Sequence, residues 1–286
     1  MSNYIDIGSA AYPDAFHMIK NKPERLYYRG DLSLLSTRCV AVVGSRRCTG
    51  YGRAVARAIG RRAGETGVTL VSGMAEGIDA AAHQGALSVG GKTIAVLGCG
   101  VDICYPAGNK TLYKTIYQRG LLLSEYPDGS KPAFYHFPER NRLISGLSEA
   151  VVIVEAGTKR SGSLITAEFA AEQGKLLYAV PGNITSQSCF GSNALIRDEG
   201  AKPLIAIDDL FLDLGIRPGI RSEKDLELGE DEKRIFDLIC SRSEMSTDEL
   251  CAAACLPPEK VNGIITVLEM KGAVMSAMGK VFVNNI

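Results

Sequence analysis

Val40-Ala41-Val42-Val43-Gly44-Ser45-Arg46-Arg47-Cys48-Thr49-Gly50-Tyr51-Gly52 is the stretch that decides how this chain is organised. Four apolar residues in succession suit a strand covered on both faces, as in a parallel sheet. The residues after Val43 are glycine-rich, hydroxyl-bearing and cationic, and they open a helix. Small residues let backbone N–H groups approach an anion, and a helix N-terminus adds partial positive charge. A guanidinium adds a rigid fork that matches phosphate oxygens. The stretch predicts a phosphate-recognising α/β protein in which Gly44, Ser45 and Arg46 meet the anion.

The same rhythm continues along the chain. Apolar runs recur at residues 69–71, 93–97, 121–123, 150–154 and 176–180, most of them followed by glycine and a helical stretch. That alternation predicts a doubly wound parallel sheet whose post-strand loops gather on one edge, where ligands bind. A short run at 203–207 is expected to add an edge strand before a helix at 209–214. About 35 residues precede the first predicted strand, too few for a core of their own.

Glycine, proline and mixed charges punctuate residues 214–229, which predicts a linker. The expected domains are residues 1–215, a linker at 216–229, and residues 230–286. The last segment shows a helix at 231–240. A capping box at Ser246-Thr247-Asp248-Glu249 then opens a second helix. A third helix starts at Pro257-Pro258, with Val261, Ile264, Ile265 and Leu268 on one face. Residues 273–275 and 280–283 form a hairpin through Gly279. Three helices and a hairpin make a small winged helix-turn-helix.

Composition narrows the partners. Of 286 residues, 46% are hydrophobic and 22% charged, and the net charge is zero, so global charge names no ligand class. Distribution says more: from Arg38 to Arg62 inclusive there are seven arginines and no acidic residue. The stripe Arg53, Arg57 and Arg61 reads as a solvated helix face. The segment 230–286 holds six basic and nine acidic residues, net −3, which suits protein contact at least as well as duplex DNA. No leader or spanning segment is evident at the N-terminus, so a cytoplasmic protein without membrane contact is expected. The eight cysteines form no CxxC pair and are expected to be reduced, with Cys251 and Cys255 as a core-facing pair. With three histidines, no metal site is expected.

Three further loops converge on the same sheet edge. Ser72-Gly73-Met74-Ala75-Glu76-Gly77-Ile78-Asp79 adds Gly73 to the candidate site. Gly98-Cys99-Gly100 lacks the third glycine of a dinucleotide fingerprint, so no such cofactor is expected. The loop from Glu155 ends in Ser161-Gly162-Ser163-Leu164-Ile165-Thr166, where Ser161, Gly162, Ser163 and Thr166 either bind an anion or cap their own helix. Asp79 and His83 stand four residues apart on one helix face and are expected to orient each other rather than catalyse.

Lys131-Pro132-Ala133-Phe134-Tyr135-His136-Phe137-Pro138-Glu139-Arg140-Asn141-Arg142 interleaves aromatics with cations. On single-stranded nucleic acid, aromatics stack bases while lysine and arginine hold phosphates. Lys131, Phe134, Arg140 and Asn141 are the candidates here, with Phe134 the exposed stacking platform. Core packing remains open for Tyr135 and Phe137.

These motifs, taken together, resemble the DNA-processing protein A family, also called DprA or Smf. The resemblance rests on Gly44-Ser45-Arg46 with Thr49 and Tyr51-Gly52, and on Ser72-Gly73 with Ala75 and Gly77-Ile78-Asp79. It continues through Gly98, Gly100, Asp102, Tyr105-Pro106 and Asn109, then Phe137-Pro138, Arg140-Asn141-Arg142 and residues 144–148. Residues 161–167, 179–182 and 191–196 complete seven motifs in order. The resemblance implies an extended Rossmann-like domain that binds single-stranded DNA, forms a homodimer and loads RecA-type recombinase during natural transformation. It places Gly44, Ser45, Arg46, Lys131, Asn141 and the 161–166 loop at the pocket, and an aromatic near Phe134 against a base. Many relatives carry a helical module before this domain, which the residues ahead of the first predicted strand do not match.

The expected function is thus a non-enzymatic single-strand-DNA-binding protein in which Arg46 and two helix N-termini hold phosphates. One rival is a nucleotide-binding phosphoribohydrolase, whose PGGxGTxxE pattern is replaced here by Glu155-Ala156-Gly157-Thr158. The other is a transcriptional regulator acting through the winged helix.

Overall fold

The quoted run lies within a strand, Cys39–Val43, that is buried at every position and sits well inside a nine-stranded sheet. This computed structural model describes residues 2–157, 161–216, 228–242, 244–271, 273–277 and 279–283. The chain divides into two compact units, Met1–Pro218 and Gly219–Ile286. Most of the expected linker, residues 217–227, lies outside the described residues.

The first unit begins with β1 (Asn3–Asp6), α1 (Asp14–His17), β2 (Arg25–Gly30), β3 (Cys39–Val43) and α2 (Gly50–Glu65). Then come β4 (Thr69–Ser72), α3 (Ile78–Ser88), β5 (Thr93–Val96), α4 (Lys110–Arg119), β6 (Leu121–Ser124) and α5 (His136–Leu147). It closes with β7 (Ala150–Ile153), α6 (Gly162–Glu172), β8 (Leu176–Ala179), α7 (Phe190–Asp198), β9 (Lys202–Pro203) and α8 (Ile207–Asp213). The sheet order is β1-β2-β6-β5-β4-β3-β7-β8-β9. From β3 to β9 every pairing is parallel, with Val40 opposite Leu70 on one side and Ala150 on the other. The winding is that of an extended Rossmann-like sheet.

Strand alternation explains the continuous apolar runs. Val40 and Val42 join a layer with residues of α2, α3 and α8, while Cys39, Ala41 and Val43 join the opposite layer with residues of α5 and α6. Each fully buried valine or leucine contributes about 1.5–3 kcal/mol. From β3 the chain winds outward through β4, β5 and β6, then returns to β7 on the other side of β3. The loops after β3 and β7 therefore diverge to opposite faces and leave a crevice between them.

Three expectations need correction. The strand expected from Val40 is not the first: β1 and β2 precede it and pair antiparallel with each other, and β2 pairs antiparallel with β6. β2 is paired on both sides, by β1 and β6, yet only Leu26 of Arg25-Leu26-Tyr27-Tyr28-Arg29 is fully buried, so the stretch carries little apolar signal. The late edge strand is only Lys202–Pro203, and the helix after it starts at Ile207, because Pro203 cannot extend the ladder. Asp79 and His83, finally, do not bond each other. His83 Nδ1 lies 2.6 Å from Thr93 Oγ1, and that hydroxyl gives its own proton to the Leu70 carbonyl. Thr93 must then accept from Nδ1–H, which leaves Nε2 unprotonated, and that atom is buried without a partner.

The α2–α3 pair is locked by backbone contact. A Cβ on Gly85 would lie 2.0 Å from the Arg57 carbonyl oxygen, and one on Gly60 would lie 2.1 Å from that of Ala82. Only glycine at these crossings lets the helices approach so closely.

The second unit has α9 (Glu230–Arg242), β10 (Glu244–Ser246), α10 (Thr247–Ala254), α11 (Pro258–Met270), β11 (Val274–Ala277) and β12 (Lys280–Val283). Ile235, Ile239, Leu250, Val261, Ile265, Leu268 and Val281 form its core. The capping box is present: Glu249 N–H donates to Ser246 Oγ at 3.2 Å, and Ser246 N–H donates to Glu249 Oε2 at 2.7 Å. A third strand, β10, pairs with β12 beside the expected hairpin, so the unit is a winged helix with a three-stranded wing sheet. Cys251 packs half-buried against the core, but Cys255 is exposed at φ 52°, where the chain leaves α10. The expected core-facing cysteine pair is therefore not formed.

Two measurements probe the buried layer. Gly85→Ala forces α2 from α3, and thermal or urea unfolding should show about 1–3 kcal/mol of destabilisation. Burial pushes the His83 imidazole down to about 3, from an ordinary value of 6.5. The unfolded chain therefore takes up a proton below pH 6.5 that the folded chain refuses until about pH 3. Stability should fall across that window by up to about 1.4 kcal/mol per pH unit from this group alone. His83→Gln should show a shallower fall in unfolding free energy over the same window; an equal slope would place the titration elsewhere.

Candidate nucleic-acid interface

A cleft of about 420 Å³ opens at the β3/β7 crevice. Its walls are the loop after β3, the segment after β4 with the start of α3 (Ala75 and Asp79), the first turn of α6, the N-terminal half of α5 and the segment leading into α5. It brings together Gly44, Ser45, Arg46, Phe134, Arg140, Asn141, Ser161, Gly162, Ser163 and Thr166. Gly73 instead lines an adjoining chamber of about 150 Å³, together with Arg46, Gly98, Cys99, Tyr105, Phe137 and Arg140. Lys131 lines neither; it is exposed on the segment before α5.

The two chambers share Arg46, Ala75, Phe137 and Arg140. The Arg46 guanidinium lies 5.4 Å from the Phe137 ring centroid, and Tyr105 stacks on Phe137 at 5.4 Å with 26° between the planes. Phe137 is thus neither core nor free: it holds an exposed cation in place through its ring face. Residue spacing gave no sign of this, because Arg46, Tyr105 and Phe137 come from three separate segments. Phe134, three residues earlier, is 90% exposed at the cleft mouth, and Tyr135 is 65% exposed.

The floor is Arg140, only 5% exposed. Its Nη1 donates to the carbonyls of Gly73, at 2.9 Å, and Val96, and its Nε donates to Asn141 Oδ1 at 3.2 Å. Asn141 Nδ2 in turn donates to the Gly162 carbonyl at 3.1 Å, at the start of α6. Asp79 accepts from the N–H groups of Gly73 and Ala75 at 3.1 and 3.4 Å. Burial lowers the Arg140 guanidinium to about 10, with the Asp79 charge opposing, so it stays cationic at neutral pH. Burial likewise raises the Asp79 carboxyl, against the pull of Arg140. Arg140 thus sits beneath the site, tying the ends of β4 and β5 to α5 and, through Asn141, to α6.

The helix N-termini behave differently from each other. At α2, Thr49 Oγ1 accepts from Gly52 N–H at 3.1 Å, and Glu155 accepts from both Thr49 N–H, at 3.0 Å, and the Thr49 hydroxyl. Glu155 is fully buried and supplies the anion that the positive end of α2 attracts. The expectation that both helix ends hold phosphate is therefore corrected: α2 is filled from within. The signal was a carboxylate at the end of β7, the strand beside β3, and it is recognisable only once β3 and β7 are known neighbours. At α6, Ser161 Oγ bonds Ser163 Oγ at 2.8 Å, and the Ser161 side chain does not cap the helix. Self-capping by Ser161, one of the two readings of this loop, does not occur, and the first turn of α6 lines the cleft. Among the described residues no cluster of three or more His, Cys, Asp or Glu is placed to hold a metal ion. Among them, too, no helix is long and apolar enough to cross a membrane.

Comparison with known proteins agrees with this architecture. The family model for DNA recombination-mediator protein A matches residues 3–215, and that for the DprA winged helix domain matches residues 221–280. The DNA processing protein DprA of Streptococcus pneumoniae is 46% identical over 201 residues, 70% of each chain. A putative DNA processing protein DprA of Mycobacterium tuberculosis is 39% identical over 250 residues, 84% of this chain; those residues span 63% of the relative's length. Among solved structures, DprA from S. pneumoniae superposes with a TM-score of 0.71 at 43% identity, covering 74% of each chain. DNA processing protein A from Helicobacter pylori gives 0.68 at 33% identity, covering 75% of this chain and 98% of that one. On these matches, and with this sheet, crevice and winged helix, the chain belongs to the DNA recombination-mediator protein A (DprA/Smf) family.

Proposed function

We propose that this chain binds single-stranded DNA in the crevice between β3 and β7, without turning it over. Arg46 and the open first turn of α6 take backbone phosphates, and Phe134 stacks a base. The observation that carries this reading is their convergence. An exposed cation held on Phe137, a helix N-terminus without its own side-chain cap and a 90% exposed aromatic share one cleft mouth. Phosphate plus stacking platform is the chemistry of unpaired strands, whose bases are free to splay. The H. pylori relative, similar over most of this unit, has a single-stranded DNA binding mode.

Absence of turnover is supported by where the titratable groups go. Asp79 accepts from loop amides, His83 is bonded to Thr93, and Glu155 is engaged by Thr49. All three are buried; His83 and Glu155 line neither chamber, whereas Asp79 forms part of the cleft lining with its carboxylate held by the loop amides. Within the same reading the protein acts in the cytoplasm as a homodimer, shields incoming strands during natural transformation and passes them to a RecA-type recombinase. Two linked protomers raise avidity without new contacts.

The direct test titrates labelled oligo-dT against a matched duplex at low and high salt, alongside AMP incubated to detect released adenine. Preference for the unpaired strand and no adenine are expected; adenine release would favour the hydrolase. Arg46→Ala should weaken binding equally across base sequences and reduce the steepness of log K against log salt by about 0.7 for one phosphate contact. Phe134→Ala should cost about 1–3 kcal/mol of binding if one base stacks there. Its melting temperature should match the parent, because the ring is exposed.

A further inference from the structure

The arginine stripe on α2 is not uniform once its partners are known. At the far end, Arg61 pairs with Glu65 at 2.9 Å, and Arg62 pairs with Asp208 at 2.6 Å. At the cleft end the cations form no ion pair among the described residues; the exposed acidic residue there, Glu76, lines the small chamber beside Arg46. Among the described residues Arg47 and Arg53 have no side-chain partner, and Arg57 bonds only the neutral Gln84 at 2.9 Å. The neighbouring α3 adds no negative charge to this surface: it exposes Gln84 and Ser88, and its sole carboxylate, Asp79, is buried. A solvated helix face would carry mixed charge throughout. Here compensation stops where the helix nears the cleft.

The arginines follow one another along the chain from the cleft. Arg46 and Arg47 are adjacent in the loop after β3, and that loop rests on the start of α3, where Ile78 N–H donates to the Ser45 carbonyl at 3.2 Å. Arg53 and Arg57 stand one turn apart on α2, about 6 Å along the axis. The backbone contact between α2 and α3 fixes this ridge as a rigid support.

We propose that single-stranded DNA leaving the cleft runs over the N-terminal half of α2, with its phosphates on Arg47, Arg53 and Arg57. This rests on the function proposed above and extends its footprint beyond the crevice. The partner class comes from charge: unopposed guanidinium groups in a row suit a flexible polyanion.

The test uses the full chain with oligo-dT of about 6 and about 20 nucleotides, lengths that bracket a typical single-strand footprint. The double variant Arg53→Gln/Arg57→Gln should bind the short strand within about twofold of the parent. It should bind the long strand about tenfold more weakly, with a salt slope less steep by about 1.4 for two phosphates. Arg61→Gln, from the compensated end, should leave both affinities unchanged. Long-strand affinity and slope equal to the parent's would overturn the proposal, as would equal losses on both lengths. A parent chain that binds neither strand would instead overturn the underlying function.

Discussion

A buried guanidinium joins segments that the sequence keeps far apart. Arg140 can remain charged at 5% exposure only because carbonyls from the ends of β4 and β5, the Asn141 amide oxygen and the nearby Asp79 charge replace its water. Removing one partner of such a network leaves a desolvated charge unmatched, which is costly. The cleft floor is therefore the best-determined part of the site, while its working groups stand at the rim. Arg46 reaches over Phe137, and α6 starts where Asn141 holds the Gly162 carbonyl. Rigidity below and exposure above suit a surface that grips a flexible strand without reorganising.

A second constraint acts at α2. Its N-terminus, the most obvious anion cradle in the chain, is occupied by the protein's own Glu155. That carboxylate occupies one helix end, while the first turn of α6 lines the cleft without a cap from the Ser161 side chain. The same hydrogen bonds tie the end of β7 to the start of α2.

Much of this was legible in the sequence. Residues 40–43 announced a buried parallel strand because both faces needed apolar side chains, and the glycine-hydroxyl-arginine loop after it was expected at the ligand edge, where it lines the cleft. The capping box at Ser246 and the apolar face of α11 gave the winged helix. Features that depend on tertiary neighbours were not legible. β1 at the edge and β2 beside it each bury only one residue fully. Glu155 reads as an ordinary loop acid until β7 is placed beside β3. Asp79 and His83 share a helix face by spacing, yet each finds a better partner on another element. The partner of Arg62, Asp208, lies 146 residues away, whereas Arg61 finds Glu65 one turn along its own helix.

The central claim is that polynucleotide phosphate, rather than a soluble metabolite, occupies the mouth of the crevice. A crystal structure of the chain with oligo-dT tests it most directly. A backbone phosphate is expected within hydrogen-bonding distance of the Arg46 guanidinium and the first turn of α6, with a base against Phe134. A strand bound elsewhere, with the crevice empty or holding a mononucleotide, would contradict it.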